Sequence, residues 1–369
     1  MPNFSDPRVA QVLAVFAFFL GAIVGSFLNA CIHRLPRGIG IGNPKRSFCP
    51  HCKATIPWYR NLPLVSWLLL RGKCASCGAP IPFRYFLVEL VTACAFLWIW
   101  LAFGPSLAPA YWLFLALLIT ATFIDFEHYI IPDEITLGGA AAGVLACLAL
   151  PGLMGTDSRL EALGWSAAGA ALGAGVLWAV VEFGKLAFGR KRIVPEKPEP
   201  FRLVEGEENP TLVIGGEDWP WDDIFSRESD VLILECREAR VNGKRFKDCK
   251  ARVFFNRIVI DGTEFPIEEV TEFTGVLEAV VIPREAMGFG DVKFMACIGA
   301  FLGWQAVVFT IAASSLIGAI VGGATIAVTR GRSGGKIPYG PYLALGAVLW
   351  MLCGPQLRDW YFDLLRPRP

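Results

Sequence analysis

The stretch Met287-Gly288-Phe289-Gly290-Asp291-Val292-Lys293 joins a charged segment to a long apolar run that begins at Val292. Gly288 and Gly290 allow turn conformations that are closed to other residues, which places Asp291 at the expected N-cap of a helix. A carboxylate at the mouth of a membrane helix is costly unless it caps, pairs or takes part in chemistry. An N-cap after a glycine turn is one interpretation of Asp291, and catalysis is the other.

The composition excludes an ordinary soluble globular protein. The chain has 369 residues, 54% of them hydrophobic, and a mean hydropathy of +0.49. Its net charge of +1 gives no reason to expect a nucleic-acid partner. We therefore expect a membrane protein with several spans of about 20 residues each.

Apolar runs predict an α-helical polytopic protein with about eight transmembrane helices. The runs cover residues 9–32, 85–104, 107–124, 135–152, 162–188, 291–303, 305–329 and 341–357. We expect a turn at Gly104-Pro105-Ser106 between the second and third runs, and a break near Gly303 between the sixth and seventh.

The distribution of basic residues predicts the orientation of these helices. Residues 33–84 include nine Lys or Arg and no Asp or Glu, so the positive-inside rule places this loop in the cytoplasm. A second basic loop, residues 330–340, falls on the same side. The helix ends that carry Asp125 and Asp291 then also face the cytoplasm, and the basic loop at 33–84 is expected to contact anionic lipid or to fold over the site.

Residues 189–285 interrupt the apolar pattern. They hold 21 of the 33 acidic residues and 15 of the 34 basic ones. Short β-branched runs such as Thr211–Ile214, Val231–Leu234 and Ile258–Ile260 are separated by turn residues. This pattern predicts a small, mostly-β cytoplasmic domain inserted between two spans.

Four cysteines have the spacing of a metal site. Cys49-Pro50-His51-Cys52 and Cys74-Ala75-Ser76-Cys77 are two C-x2-C knuckles with 21 residues between them. Together they predict a tetrahedral zinc site, because disulfides are disfavoured in the cytoplasm. Unrelated free or redox-active thiols are the alternative. Four thiolates leave no open coordination position, so the zinc ion is expected to be structural.

The predicted organisation has five segments. They are a first transmembrane helix at 9–32, a cytoplasmic zinc-binding loop at 33–84, helices 2–5 with the first aspartate at 85–188, the inserted mostly-β domain at 189–285, and helices 6–8 with the Gly-x-Gly-Asp motif at 286–357.

Asp125 and Asp291 are candidates for a catalytic pair. Asp125 ends one apolar run and Asp291 begins another, at the same predicted membrane face. If the two helices are adjacent, the carboxyl groups can share a proton and a water molecule, which leaves one acid and one base. That is the mechanism of an aspartic protease. The alternative is two interfacial carboxylates that anchor helix ends.

A series of motifs in order along the chain carries a resemblance to a known family. The motifs are Gly25–Pro36, the two cysteine knuckles, Asn61–Trp67, Arg84–Leu90, Phe123–Asp125, Ile131–Asp133, Met287–Lys293 and Ile337–Tyr342. In these stretches the chain resembles the type 4 prepilin peptidases, which are bifunctional leader peptidase/N-methyltransferases of the bacterial inner membrane. The resemblance covers nearly all of the chain except residues 189–285.

The resemblance implies that Asp125 and Asp291 are the catalytic pair of a membrane aspartic protease, supported by Gly288 and Gly290. Its substrates would be type 4 prepilins or the pseudopilins of type II secretion, cleaved at the cytoplasmic face. It further implies methylation of the new N-terminus with S-adenosylmethionine, an activity associated with the zinc loop. The chain has no glycine-rich nucleotide fingerprint, so the residues that bind this cofactor are not identified from the sequence.

Acidic side chains are expected to bind the basic leader of such a substrate. The candidates are Glu89, Glu127, Asp133 and Glu134. The inserted domain is expected to dock a partner or to be a tolerated addition, since a loop insertion whose ends are close adds little closure entropy.

Two alternative functions remain at this point. The first is a Gly-x-Gly-Asp membrane protease that lacks methyltransferase activity. The second is a proton-coupled transporter that uses Asp125 and Asp291 as a relay and the zinc loop as a gate. A relay predicts carboxylates deep within spans, whereas both of these lie at predicted helix ends.

Overall fold

The computed structural model describes residues 7–42, 47–188, 190–204, 210–225, 230–283, 287–329 and 338–365. Most of the second basic loop, residues 330–337, lies outside these ranges, as do Lys45 and Arg46 of the first. The chain forms two compact units, one made of Met1–Trp178 with Gly288–Pro369 and the other of Ala179–Met287.

The described residues form eight helices. They are α1 (Pro7–Arg34), α2 (Val65–Leu69), α3 (Phe83–His128), α4 (Asp133–Ala149), α5 (Arg159–Phe188), α6 (Trp221–Ile224), α7 (Phe289–Thr329) and α8 (Gly340–Leu365). Within the described ranges, four segments are long and apolar enough to cross a membrane, namely Arg8–Arg37, Phe83–His128, Arg159–Leu186 and Phe289–Val328. A membrane protein is therefore supported, while the count of about eight spans stays a prediction.

Two of these long helices are interrupted by a glycine. Gly104 in α3 has φ 69° and ψ −179°, and Gly303 in α7 has φ 77° and ψ 177°, a combination that is essentially restricted to glycine. The rings of Phe96 and Trp112 stack at 5.1 Å across the first interruption, so α3 folds back on itself. The predicted turn at Gly104 and the predicted break near Gly303 are confirmed.

Buried polar side chains connect the helices of the first unit. The Asn29 amide of α1 donates from Nδ2 to the carbonyl oxygen of Tyr85 in α3, at 2.9 Å. The Ser166 hydroxyl of α5 donates to the carbonyl oxygen of Ala300 in α7, at 2.7 Å. Each of these bonds contributes about 1 kcal/mol and helps to set the register between the helices.

The second unit contains an antiparallel sheet. Its strands are β1 (Arg190–Ile193), β2 (Glu199–Val204), β3 (Thr211–Ile214), β4 (Glu217–Pro220), β5 (Val231–Val241), β6 (Lys244–Phe254), β7 (Arg257–Ile260), β8 (Thr263–Pro266) and β9 (Phe273–Pro283). The strand order is β4-β3-β2-β9-β5-β6-β7-β8, and β1 also pairs with β9.

One face of this sheet forms a hydrophobic core. Side chains of β5 alternate between buried and partly exposed, as expected for a strand with one face on a core. Trp221 is fully buried there and donates from Nε1 to the carbonyl oxygen of Phe255, at 3.1 Å. The expected β-sheet region is therefore present, and it lies outside the helices that hold the two candidate aspartates.

Candidate active site and metal site

Asp125 lies in the last turn of α3 and is buried, with 5% of its surface exposed. Its Oδ2 accepts a hydrogen bond of 2.9 Å from the backbone N–H of Gly340, the first residue of α8. A Cβ atom at position 340 would lie 2.7 Å from that oxygen, which is too close for a non-bonded contact. Glycine at this position therefore allows the backbone to reach the carboxylate.

Asp291 lies in the first turn of α7 and is also buried, with 8% of its surface exposed. The helix begins at Phe289, so Asp291 is its third residue and the N-cap position lies three residues before the predicted one. The reason is that its own N–H already bonds to the carbonyl oxygen of Gly288, at 3.2 Å, which starts the helix earlier. The side chain of Asp291 is thereby held inside the first turn.

The two carboxyl groups are brought into one site by the packing of Ile131. Ile131 lies against Gly340, which binds Asp125, and against Gly290, which precedes Asp291. Asp125 and Asp291 therefore lie on either side of one packed side chain. In a water-poor site, two adjacent carboxylates are unfavourable, so one protonated and one ionised group is the favoured state. That state supplies an acid and a base together.

Two ion pairs lie at the ends of these helices. Lys293 Nζ and Asp133 Oδ1 are 2.6 Å apart, which joins the start of α7 to the start of α4. Arg84 and Glu127 pair across the two ends of α3. Glu127 and Asp133, two of the candidate leader-reading residues, are therefore already paired within the chain.

A third candidate for leader recognition, Glu89, is also bonded within the chain. Its Oε2 accepts a hydrogen bond from the N–H of Leu64 at 2.7 Å. These bonds do not test the predicted role, which stays a prediction for all four residues.

Sequence reasoning missed the contribution of Tyr339 and Gly340. The phenolic oxygen of Tyr339 is 2.8 Å from the Ser314 hydroxyl of α7, and the next residue binds Asp125. The motif Ile337–Tyr342 is one of those that carry the family resemblance. Its sequence does not indicate that the Tyr339 hydroxyl contacts Ser314 or that the Gly340 N–H binds Asp125.

The two cysteine knuckles have the same backbone structure. Cys49 N–H bonds to the Ala54 carbonyl at 3.0 Å, and Cys74 N–H bonds to the Ala79 carbonyl at 2.8 Å. The residue after each second cysteine, Lys53 or Gly78, has a positive φ. The loop is therefore a pair of matching turns, each of which presents two sulfur atoms.

The four sulfur atoms fit a zinc ion. The ligand atoms of Cys49, Cys52, Cys74 and Cys77 all lie within 4.8 Å of one another, and the sulfurs of Cys49 and Cys77 are 3.9 Å apart. Tetrahedral zinc with Zn–S bonds of about 2.3 Å requires sulfur–sulfur distances of about 3.8 Å. Backbone N–H groups of Cys77 and Ser76 lower the pKa of the Cys74 thiol, whereas the pKa of the Cys77 thiol is raised, because the N–H of Ala79 that lowers it is outweighed by desolvation and by hydrogen bonds with the other cysteines. One thiolate is therefore favoured in the cluster before the ion binds.

Two family models match the chain. Residues 19–103 match the bacterial peptidase A24 N-terminal domain, and residues 112–191 and 259–323 match the type IV leader peptidase family. The second match is interrupted at residues 192–258, which lie in the β-sheet unit. Both candidate aspartates fall within the matched residues.

Several relatives align with most or part of the chain. A prepilin leader peptidase/N-methyltransferase of Aeromonas hydrophila is 28% identical, over 93% of this chain and 92% of the relative. A protein of the same description from Pseudomonas aeruginosa is 28% identical, over 93% and 91%. One from Myxococcus xanthus is 43% identical, over 46% and 48%. No solved structure gives a significant match.

Proposed function

Because the chain belongs to the type IV leader peptidase family, we propose that it removes the leader peptide of type 4 prepilins or pseudopilins and N-methylates the new N-terminus. The enzyme is an aspartic endopeptidase of the bacterial inner membrane. The observation that supports the proposal is that Asp125 and Asp291 are both buried at the ends of two long apolar helices, with Ile131 packed against Gly340 and Gly290 beside them.

The proposed cleavage uses one carboxylate and one carboxylic acid. The ionised aspartate takes a proton from water, and the resulting hydroxide oxygen attacks the scissile carbonyl carbon. The protonated aspartate donates its proton to the carbonyl oxygen. When the tetrahedral intermediate collapses, the C–N bond breaks, and the aspartate that took a proton from water gives it to the leaving amine. The other aspartate takes back a proton from the hydroxyl group of the intermediate as the new carboxyl group forms. The hydrogen bond from Gly340 to Asp125 orients one of the two groups throughout.

The proposed topology has about eight spans with the site facing the cytoplasm. The interruptions at Gly104 and Gly303 divide two long helices into shorter ones, which supports that count. A prepilin whose apolar helix lies in the bilayer and whose basic leader lies in the cytoplasm would then present its scissile bond at this interface. Membrane lipid is a partner in this arrangement, and nucleic acid is not.

The proposed zinc ion is structural. Cys49, Cys52, Cys74 and Cys77 would hold it and leave no position for a substrate. Bound zinc would keep the loop over residues 47–81 folded. The methyl group of the second reaction comes from S-adenosylmethionine.

The two alternatives are less well supported. A proton relay requires carboxylates deep within spans, whereas Asp125 and Asp291 lie in the last and first turns of their helices. A protease without methyltransferase activity is disfavoured because the full-length relatives are described as N-methyltransferases.

The test is cleavage of a model prepilin by the purified protein in membrane mimetic. Asp125→Asn and Asp291→Asn keep the shape of each side chain and remove its proton transfer, so each alone is expected to lower the rate by at least about 100-fold. Asp157→Asn, at an exposed loop carboxylate, is the matched control. Normal cleavage by both active-site variants would refute the proposed mechanism.

A further inference from the structure

A cavity of about 420 Å³ lies beside the cysteine knuckles, in the first compact unit. Its walls come from the C-terminal part of α1, the loop between α1 and α3, and both ends of α3. Its volume falls in the range of about 300–1,000 Å³ that is typical of small-molecule sites. No residue of this cavity takes part in the cleavage step described above.

The wall contains buried polar atoms that lack a partner. Asn29 lines the cavity and is 2% exposed. Its Nδ2 donates to the carbonyl oxygen of Tyr85, but its Oδ1 has no hydrogen-bond partner among the described residues. Arg84 also lines the cavity, and its Nε is buried and equally unpartnered, although its Nη1 pairs with Glu127. Buried polar atoms are normally satisfied, so an acceptor and a cationic donor left open on one cavity indicate a missing ligand.

The other lining groups define the chemistry of that ligand. Guanidinium groups of Arg34 and Arg37 can bind a carboxylate, and the Glu89 carboxylate can bind hydroxyl or ammonium groups. Phe48 and Trp67 add aromatic surface, on which a planar base can stack. These groups together can bind a ligand that carries an aromatic base, a polar sugar and an amino-acid end, and the wall carboxylates Glu89 and Glu127 can offset its positive charge.

We propose that this cavity binds the methyl donor, S-adenosylmethionine. The inference rests on the methyl-transfer half of the proposed function and locates its cofactor. Asn29 Oδ1 accepts from a donor group of the ligand, and Arg84 Nε donates to an acceptor. The thiol residues Cys49 and Cys74 are also part of the wall, so zinc binding and the shape of the cavity are linked.

The position of the cavity suits a reaction that follows cleavage. Glu127 lines the cavity and lies two residues after Asp125 in α3, about 3 Å further along the helix axis. The cavity and the aspartates thus share the C-terminal end of α3, and the amine released by cleavage is the nucleophile of the second reaction. Its nitrogen lone pair attacks the sulfonium methyl carbon, an N–C bond forms, and the S–C bond breaks with its electron pair left on sulfur. The products are the methylated amine, S-adenosylhomocysteine and a proton that passes to water.

The experiment measures S-adenosylmethionine binding by calorimetry, and the methylated fraction of cleaved model prepilin, with the full-length protein. Ala30→Phe places a ring in the cavity, and Arg84→Gln removes Nε. Each is expected to weaken binding at least tenfold and to lower the methylated fraction by a similar factor. Ala10→Phe, on the same helix but exposed, and Lys73→Gln, on the same loop but outside the wall, are matched controls that should behave as wild type.

A second measurement uses only the wild type, so that it does not depend on how the variants fold. Ultraviolet cross-linking of bound S-adenosylmethionine, mapped by mass spectrometry, should label residues 26–37, 47–70, 74–89 or Glu127. Labelling elsewhere, or folded Ala30→Phe and Arg84→Gln proteins that bind as wild type, would overturn the proposed site and leave the proposed function standing. If the wild type cleaves the model prepilin but neither binds S-adenosylmethionine nor methylates the product, both the proposed site and the proposed methyl transfer are wrong. If the wild type does not cleave the model prepilin, the proposed peptidase activity itself is wrong.

Discussion

The backbone N–H of Gly340 donates a hydrogen bond of 2.9 Å to Oδ2 of Asp125, across a separation of 215 residues. This bond connects the first residue of α8 to the last turn of α3. It places a fixed donor on one of the two candidate catalytic carboxyl groups, and its geometry depends on the absence of a side chain at position 340.

Gly340→Ala should therefore impair cleavage. The new Cβ would lie 2.7 Å from Asp125 Oδ2, so the carboxylate or the helix must move and the bond is lost or lengthened. A hydrogen bond to a charged group contributes about 1.5–3 kcal/mol, which corresponds to a loss of roughly 10- to 100-fold in kcat/KM. Gly323→Ala, in open space on α7, is the matched control. Wild-type cleavage by Gly340→Ala would mean that this bond does not position the Asp125 carboxyl group.

The Lys293–Asp133 pair should contribute to stability rather than to chemistry. Its side chains are 26% and 59% exposed, so solvent screening limits the coupling energy to about 0.5–1 kcal/mol. A double-mutant cycle with Lys293→Met and Asp133→Asn, read by denaturant unfolding, measures it. If Asp133→Asn alone raises the KM for a prepilin and Lys293→Met does not, then Asp133 reads the leader and the ion pair is incidental.

Removal of zinc should affect methyl transfer more than cleavage. The purified protein is expected to hold one zinc ion per chain, and Cys52→Ser or Cys77→Ser should abolish it. Because the knuckles form part of the cavity wall, the methylated fraction of the cleaved product should fall at least tenfold. Elemental analysis together with mass spectrometry of the product checks both expectations. Cys94→Ser, on an exposed face of α3, is the control.

Acidification should release the metal. Zinc binds thiolates, so protonation of the four cysteines competes with the ion, and affinity falls as the pH falls. A colorimetric zinc chelator titrated between pH 8 and pH 5 should capture the ion more readily at the acidic end. A metal content that does not depend on pH in this range would contradict ligation by four thiolates.

Gly104→Ala should destabilise the membrane unit. Nothing lies within 4 Å of the added Cβ, so its cost comes from the backbone conformation alone, at φ 69° and ψ −179°. Such strain costs about 1–3 kcal/mol. Gly164→Ala, also in open space but within the regular helix α5, is the matched control and should be neutral or stabilising by up to about 1 kcal/mol. Unfolding in mixed detergent micelles measures both, and equal stability of the two variants would contradict the strained turn.

Local features of the sequence determined much of this protein. Hydropathy identified the helical segments, the glycines at 104 and 303 marked where long helices break, and alternating β-branched runs identified β3 and β7. The C-x2-C spacing predicted the four-cysteine cluster, because each knuckle is formed by residues that are close in sequence. These features rest on short-range interactions, which the order of residues specifies directly.

Only the tertiary structure decided which distant groups meet. Asp125 and Asp291 are 166 positions apart in sequence, and their proximity depends on Ile131 packing against the glycines beside each of them. The Gly340 bond, the Lys293–Asp133 pair and the unpartnered Asn29 and Arg84 atoms likewise depend on how helices pack. Packing is a sum of many weak contacts between segments far apart along the chain, so no single motif encodes it.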